Sequence, residues 1–151
     1  MHAHFECKAF QELSLSELYD IMVLRQEVFV VEQDCPYLDA DGRDRPAWHL
    51  MGRNDAGRLL AYARLLPTGV SYEHYASIGR VITAQDTRRQ GLGLQLMDEA
   101  IAACKQLFGE TPLKISAQKY LQRFYEGYGF RRQGPEYLED GIPHLGMVRE
   151  V

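Results

Sequence analysis

Several features that would assign a class at once are scarce in this sequence of 151 residues. It has three cysteines, Cys7, Cys35 and Cys104, too few and too scattered for a disulfide framework, so a reducing, cytoplasmic location is expected. No apolar run approaches the ~20 residues that cross a bilayer, and residues 1–8 lack the apolar core of a secretory signal. No block of Lys or Arg exceeds a pair and the net charge is −4, which argues against a nucleic-acid surface.

What the chain does contain is a series of short periodic runs without internal repeats. An apolar content of 46% predicts a single globular domain over residues 1–151. Ser14 and Glu17 form a capping box that starts a helix ending near Glu32. The remaining predicted elements are strands at 49–53, 59–65, 77–83, 112–116, 130–133 and 145–149, and helices at 94–108 and 117–126. This order predicts an α/β (mixed α+β) fold with helices flanking a mixed sheet.

A strand-to-helix turn carries the strongest chemical signal. The residues Arg88, Arg89, Gln90, Gly91, Leu92 and Gly93 lie between a β-branched run and the 94–108 helix. Glycines allow a ligand to approach the backbone, and the helix N-terminus offers unpaired N–H groups to an anion. The dinucleotide pattern is excluded because Leu96 stands where its third glycine belongs, and no P-loop string occurs. The pattern R-x-x-G-x-G therefore predicts a phosphate-binding turn.

A second motif, F-Y-x-x-x-G-F over residues 124–130, follows the next strand. Together, the two motifs resemble the GNAT superfamily of acetyl-coenzyme A dependent N-acetyltransferases. The resemblance implies a mostly antiparallel sheet, a coenzyme A pyrophosphate bound at residues 88–94, including Leu94, and Tyr125 near the thioester sulfur. It also implies that Val81, Ile82 and Thr83 contact the pantetheine arm, and that Gln118 stands where family members often carry a cofactor-binding asparagine.

The N-terminal half narrows the resemblance to the ElaA subgroup. The residues that carry it are the run from Leu24 to Gln33, Cys35-Pro36-Tyr37, Asp39, Asp41-Gly42, His49 and the tail from Tyr137 to His144. The likeness extends from about Leu13 to Met147. One departure is that the strand 113–116 has no carboxylate where some members place a general base, so the base cannot be assigned by resemblance.

Acetyl transfer requires a proton acceptor for the amine and a proton donor for the thiolate. An alkyl amine of pKa ~10.4 is charged at neutral pH, which opposes attack by roughly 4–5 kcal/mol. The candidate bases are Glu32, His49, Glu73, His74, Glu139 and His144, of which His144 is preferred, although a histidine at a strand start often serves only hydrogen bonding. Tyr125 is the expected proton donor.

The sequence disfavours a metal site and a nucleophilic cysteine, and it leaves two alternative functions open. Asp39, Asp41 and Asp44 do not match a calcium loop, because glycine and arginine occupy the wrong positions, so no metal is predicted and a solvated turn is expected. Cys35 is not expected to be a nucleophile, since direct transfer needs none. The alternatives are transfer of a longer acyl chain, because the Val28–Val30 region also resembles acyl-homoserine lactone synthases, and a non-catalytic acetyl-coenzyme A-binding module.

The expected partner is a small-molecule or peptide amine, with no nucleic acid and no membrane. The residues do not identify which amine is acetylated. An exposed edge strand could support a homodimer.

Overall fold

The computed structural model describes residues 2–151. Three α-helices are found in this range: α1 (Leu15–Arg25), α2 (Leu92–Phe108) and α3 (Gln122–Glu126). A π-helical segment, Gln26–Glu32, continues α1, so the predicted helical extent to Glu32 is confirmed but its last two turns are wider than an α-helix. The strands are β1 (His4–Ala9), β2 (Trp48–Arg53), β3 (Leu59–Leu66), β4 (Ala76–Thr83), β5 (Leu113–Gln118), β6 (Arg131–Arg132), β7 (Tyr137–Glu139) and β8 (Ile142–Arg149).

The strands form one eight-stranded sheet. Its order is β1-β2-β3-β4-β5-β8-β6, and β7 pairs with β8 outside this path. All neighbouring strands pair antiparallel except β4 and β5, which are parallel because α2 crosses over between them. The predicted mixed, mostly antiparallel sheet flanked by helices is confirmed.

Two apolar clusters lie against this sheet. The larger one includes the buried side of α2, with Leu96, Met97, Ala100 and Cys104 each at most 1% exposed. These residues recur at i, i+3 and i+4 spacing, so the helix buries one stripe and exposes the other. The second cluster joins α1 to β2 and β3.

None of the helices within residues 2–151 has the length and apolar character that a bilayer crossing requires.

The structure corrects the sequence prediction in three places. Strand β1 was not predicted; it lies at the sheet edge, where the outer residues His4 and Glu6 remain exposed and weaken the apolar pattern. The predicted helix from Ala117 is wrong at its start, because β5 continues to Gln118 and α3 begins at Gln122. Strand β7 was not predicted either; it pairs with β8 as a hairpin whose turn contains Asp140.

Candidate active site

The site begins with a bulge in strand β4. Between the pairs Arg64↔Gly79 and Tyr62↔Ile82, β4 advances three residues while β3 advances two. Arg80 lies in this bulge with a φ of 50°, a left-handed conformation that is strained for a residue with a Cβ. The bulge interrupts the regular ladder and so reorients the following residues, Val81 to Thr83, on the edge that faces β5.

Strands β4 and β5 separate immediately after they meet. Their pairing is confined to Ala76↔Leu113 and Ser77↔Lys114, although β4 continues to Thr83 and β5 to Gln118. The gap between the separated ends opens into a cavity of about 590 Å³, lined by both strands, the start of α2, α3 and the β7–β8 hairpin. Backbone groups that would otherwise complete a ladder therefore face a space large enough for an extended ligand.

One end of the cavity is formed by the predicted phosphate-binding turn. Arg89 and Gly91 both have left-handed backbones, with φ of 65° and 81°, and α2 begins at Leu92. The first intrahelical bond closes from the Gln95 N–H to the Gly91 carbonyl at 3.2 Å. The N–H groups of the first turn of α2 have no intrahelical acceptor, and they lie at the positive end of a 17-residue helix. This geometry suits an anion.

Arg88, expected to contact the cofactor, is bonded to other parts of the protein. Its guanidinium donates to Glu32 Oε1 at 2.9 Å and to the Thr83 carbonyl at 3.2 Å, so it joins the π-helical segment to the end of β4. The ion pair with Glu32 offsets the positive charge of Arg88, which the sequence analysis expected to attract the anionic cofactor. Arg88 and Arg89 both line the cavity.

Tyr125 lies in the cavity wall on α3. Its ring makes edge-to-face contacts with Phe124 and Phe130, with centroids 5.2 and 6.1 Å away, and it is 6% exposed. Burial raises the pKa of Tyr125 to about 12, so the phenol stays protonated at neutral pH. A buried, protonated phenol facing a cavity can donate a proton to an anion formed there.

Most of the predicted site residues converge on this cavity. Those that line it are Val81, Ile82, Thr83, Arg88, Arg89, Gly91, Leu92, Gly93, Gln118, Tyr125 and His144. Gln90 and Leu94 do not line it: the Gln90 side chain is exposed, and Leu94 is 55% exposed while its carbonyl accepts a hydrogen bond from Tyr128. Their side chains are therefore not brought to the cavity, and the cofactor contacts expected of them stay a prediction.

The candidate bases separate clearly in space. Glu32, Glu139 and His144 line the cavity. His49 does not; it is fully buried between the Tyr62 hydroxyl (2.7 Å) and the Asp44 carbonyl (2.9 Å), and burial lowers its pKa. Glu73 and His74 are exposed and lie outside the cavity. Three of the six candidate bases therefore lie where they could contact a ligand in the cavity.

The aspartate loop is not the solvated turn that was expected. Asp39 and Asp44 are each 6% exposed, and both bind Arg25, which is completely buried; the Arg25 Nε lies 2.6 Å from Asp39 and its Nη1 2.6 Å from Asp44. Such charges are buried because each has an opposite partner. Sequence analysis missed this network, although Arg25 on the apolar face of the first helix was a signal for it.

The same network reaches the β4 bulge. Arg80 donates from Nε to Asp39 Oδ1 at 2.8 Å and from Nη2 to the Asp39 carbonyl at 3.1 Å. Arg64 holds Asp41 through two hydrogen bonds of 2.8 and 2.9 Å. Burial alone would raise the pKa of Asp41, but these bonds lower it well below the usual range. The loop therefore anchors the bulged strand that lines the cavity.

Comparison with known proteins agrees with the observed fold. Residues 42–151 match the family described as Acetyltransferase (GNAT) domain. Protein ElaA of Escherichia coli is 45% identical over 143 residues, covering 93% of this chain and 92% of ElaA. The crystal structure of an Acyl-CoA N-acyltransferase from Pseudomonas aeruginosa superposes with a TM-score of 0.90 at 48% identity, covering 97% of this chain and 99% of that one. A CoA-dependent acyl-homoserine lactone synthase, at 18% identity and a TM-score of 0.78, shares the fold alone.

The bulged strand that diverges from its parallel neighbour and the glycine-rich start of α2 occur together with these matches, which assign the chain to a class of acyl-coenzyme A-dependent transferases. The chain belongs to the GNAT acetyltransferase family. Within that family it is a member of the ElaA-like subgroup.

Proposed function

We propose that this protein is an N-acetyltransferase that transfers the acetyl group of acetyl-coenzyme A to a primary amine by direct attack. The observation that carries the proposal is the gap between β4 and β5, with an anion-binding turn at one end and Tyr125 in its wall. The pyrophosphate would bind the N–H groups at the start of α2, and the pantetheine arm would lie along Val81 to Thr83. The thioester would then lie near the phenol.

Each group in the cavity has a defined part in the proposed reaction. The amine nitrogen forms a bond to the thioester carbonyl carbon and loses a proton to a base, for which His144 is the candidate. The carbon–sulfur bond breaks, and the departing thiolate takes the proton of the Tyr125 hydroxyl. A phenol with a pKa of about 12 remains a donor over the whole neutral range.

The experiment is an acetylation screen over amines, monitored by release of free coenzyme A thiol. The panel includes protein lysine, N-terminal peptides, polyamines, aminoglycosides and small metabolites, because the cavity alone does not select among them. A parallel series of longer acyl-coenzyme A donors tests the acyl preference. Tight acetyl-coenzyme A binding without turnover on any amine would instead favour a non-catalytic binding module.

Tyr125→Phe tests the assigned proton donor. We expect kcat to fall by about one to two orders of magnitude, within the usual range of acid–base contributions, with acetyl-coenzyme A affinity nearly unchanged. Tyr128→Phe is the matched control, because Tyr128 lies three residues away and its hydroxyl donates to the Leu94 carbonyl at 3.0 Å outside the cavity. Full turnover by Tyr125→Phe would show that another group protonates the thiolate.

The expected location remains the cytoplasm. Cys7, Cys35 and Cys104 are all free thiols, as a reducing compartment requires.

A further inference from the structure

Strand β5 and the β7–β8 hairpin together form a chain of polar side chains, of which Ser116, Glu139 and His144 line the cavity. Ser116 Oγ donates a hydrogen bond to Glu139 Oε1 at 3.1 Å, and the Tyr137 hydroxyl is in hydrogen-bond contact with the same Ser116 oxygen. Because Ser116 has one hydroxyl proton and gives it to Glu139, Tyr137 is the donor in the second bond. The Glu139 carboxylate is thus held in place, and its Oε2 lies 3.4 Å from His144 Nε2.

The two ring nitrogens of His144 have different surroundings. Nδ1 lies 2.7 Å from the Ile142 carbonyl, and because a carbonyl can only accept, Nδ1 carries the hydrogen. In the neutral ring Nε2 therefore holds the lone pair. Its distance to Glu139 exceeds a normal hydrogen bond, so this lone pair is not committed. The ring stacks on Tyr137 with centroids 6.2 Å apart and is 6% exposed, which fixes its orientation.

We propose that Glu139 is the positioning residue that makes His144 the proton acceptor for the amine, an inference that rests on the proposed function. The proton of the attacking amine passes to Nε2, and the imidazolium so formed donates to the Glu139 carboxylate. Glu139 is the charged partner of this ring within residues 2–151. The stacked Tyr137 is a neutral phenol, and the β5 neighbour in register, Gln118, carries no charge. Asp140 lies in the adjoining turn and lines the same cavity.

Glu139 is also more accessible from solvent than His144. Its side chain is 47% exposed whereas that of His144 is 8% exposed, so the carboxylate is the more accessible of these two groups in the cavity lining. An ammonium group in the cavity can contact this accessible carboxylate, which lies 3.4 Å from the histidine ring. The pair thus suits an acceptor that arrives as a cation and gives up its proton at the site.

A double-mutant cycle tests the pair. We expect Glu139→Gln to lower kcat about tenfold and His144→Gln about a hundredfold, with the KM for acetyl-coenzyme A unchanged, and the double variant to be no slower than His144→Gln. Glu136→Gln is the matched control, since Glu136 lies beside the same hairpin, pairs with Lys119 at 2.9 Å and does not line the cavity. A Glu139→Gln variant as fast as wild type, or losses that multiply in the double variant, would overturn the proposal.

An activity-independent measurement separates this inference from the proposed function. In nitrogen-15 NMR of the histidine rings, with His144→Gln identifying the resonances, we expect the Nδ1–H tautomer for His144. Glu139→Gln should shift the Nε2 resonance of that ring, because the group 3.4 Å from Nε2 loses its negative charge. An Nε2–H tautomer or an unchanged Nε2 resonance in Glu139→Gln would refute the pair even in an active enzyme. Failure of wild type to acetylate any amine would refute the proposed function while the NMR result still decides the pair.

Discussion

Replacing Gly93 by alanine is expected to raise the stability of the fold while weakening the binding of acetyl-coenzyme A. Gly93 is the second residue of α2, and its backbone is not in the left-handed region. A Cβ built at this position meets only Phe124 Cζ, at 4.0 Å, which is ordinary van der Waals contact. Alanine is favoured over glycine in a helix by roughly 0.5–1 kcal/mol, so the melting temperature should rise by about 1–4 °C.

The binding effect has the opposite sign, because Gly93 lines the cavity at the proposed pyrophosphate site. A methyl group there would hold the phosphates away from the N–H groups of the first turn. Losing one hydrogen bond to a charged group removes roughly 1.5–3 kcal/mol. The dissociation constant for acetyl-coenzyme A should therefore rise about ten- to a hundredfold.

Gly91→Ala is the comparison variant, because it strains the protein backbone, whereas Gly93→Ala is expected to obstruct the approach of the cofactor. Gly91 has a φ of 81° and no atom within 4 Å of its Cβ position, so alanine meets no clash in the protein but costs about 1–2 kcal/mol in backbone strain. Titration calorimetry with acetyl-coenzyme A and thermal unfolding are measured on both variants. If Gly93→Ala binds the cofactor as tightly as wild type, the pyrophosphate does not approach this turn. A loss of stability in Gly93→Ala would contradict the open geometry around its Cβ.

Two further predictions concern groups whose pKa values are shifted in the folded protein. Burial alone would raise the pKa values of Asp41 and Asp44, but hydrogen bonds from arginines outweigh it and lower both pKa values. The two carboxylates therefore stabilise the fold fully above the unfolded pKa of about 4, and this stabilisation is lost as pH falls through the lower folded pKa values. The contribution of these two carboxylates to the free energy of unfolding in urea should therefore be constant above about pH 5 and decline toward pH 3, so the decline between pH 5 and pH 3 should be shallower in Asp41→Asn than in wild type; equal slopes would contradict the role of this carboxylate. Burial raises the pKa of Cys104 to about 12, so iodoacetamide at pH 8 should leave it unmodified while Cys35, which lines the cavity, reacts and is protected by acetyl-coenzyme A. Mass spectrometry of the labelled peptides checks both thiols, and rapid labelling of Cys104 in the folded protein would contradict its burial.

Local patterns predicted the parts of the fold that depend on neighbours in sequence. The capping box is present, since the Ser14 hydroxyl accepts from the Glu17 N–H at 3.0 Å. The apolar stripe of α2 and the burial of Cys104 followed from helical periodicity, and β3 and β4 from apolar runs. The turn at Gly91 was recognisable because a left-handed backbone before a helix favours glycine.

Features that depend on distant partners were not recognisable in this way. Strand β1 exists because β2 supplies an edge for it, and its own apolar pattern is weak. Ala117 and Gln118 were predicted to begin a helix, but pairing with β8 keeps them extended as the last two residues of β5. Asp39 in a polar stretch looks solvated until Arg25 from another element neutralises it in the interior.

The sequence by itself determined the family and the glycine-containing turn before α2, because both depend on motifs whose residues are close together in the chain. Only the tertiary structure decided which side chains share the cavity. Glu139 and His144 meet because a hairpin folds them together, and Arg88 is joined to Glu32 from 56 residues away. The cavity itself arises where β4, held by the Arg80–Asp39 pair, diverges from β5. Such contacts depend on how strands and loops pack in space, and no local pattern encodes them.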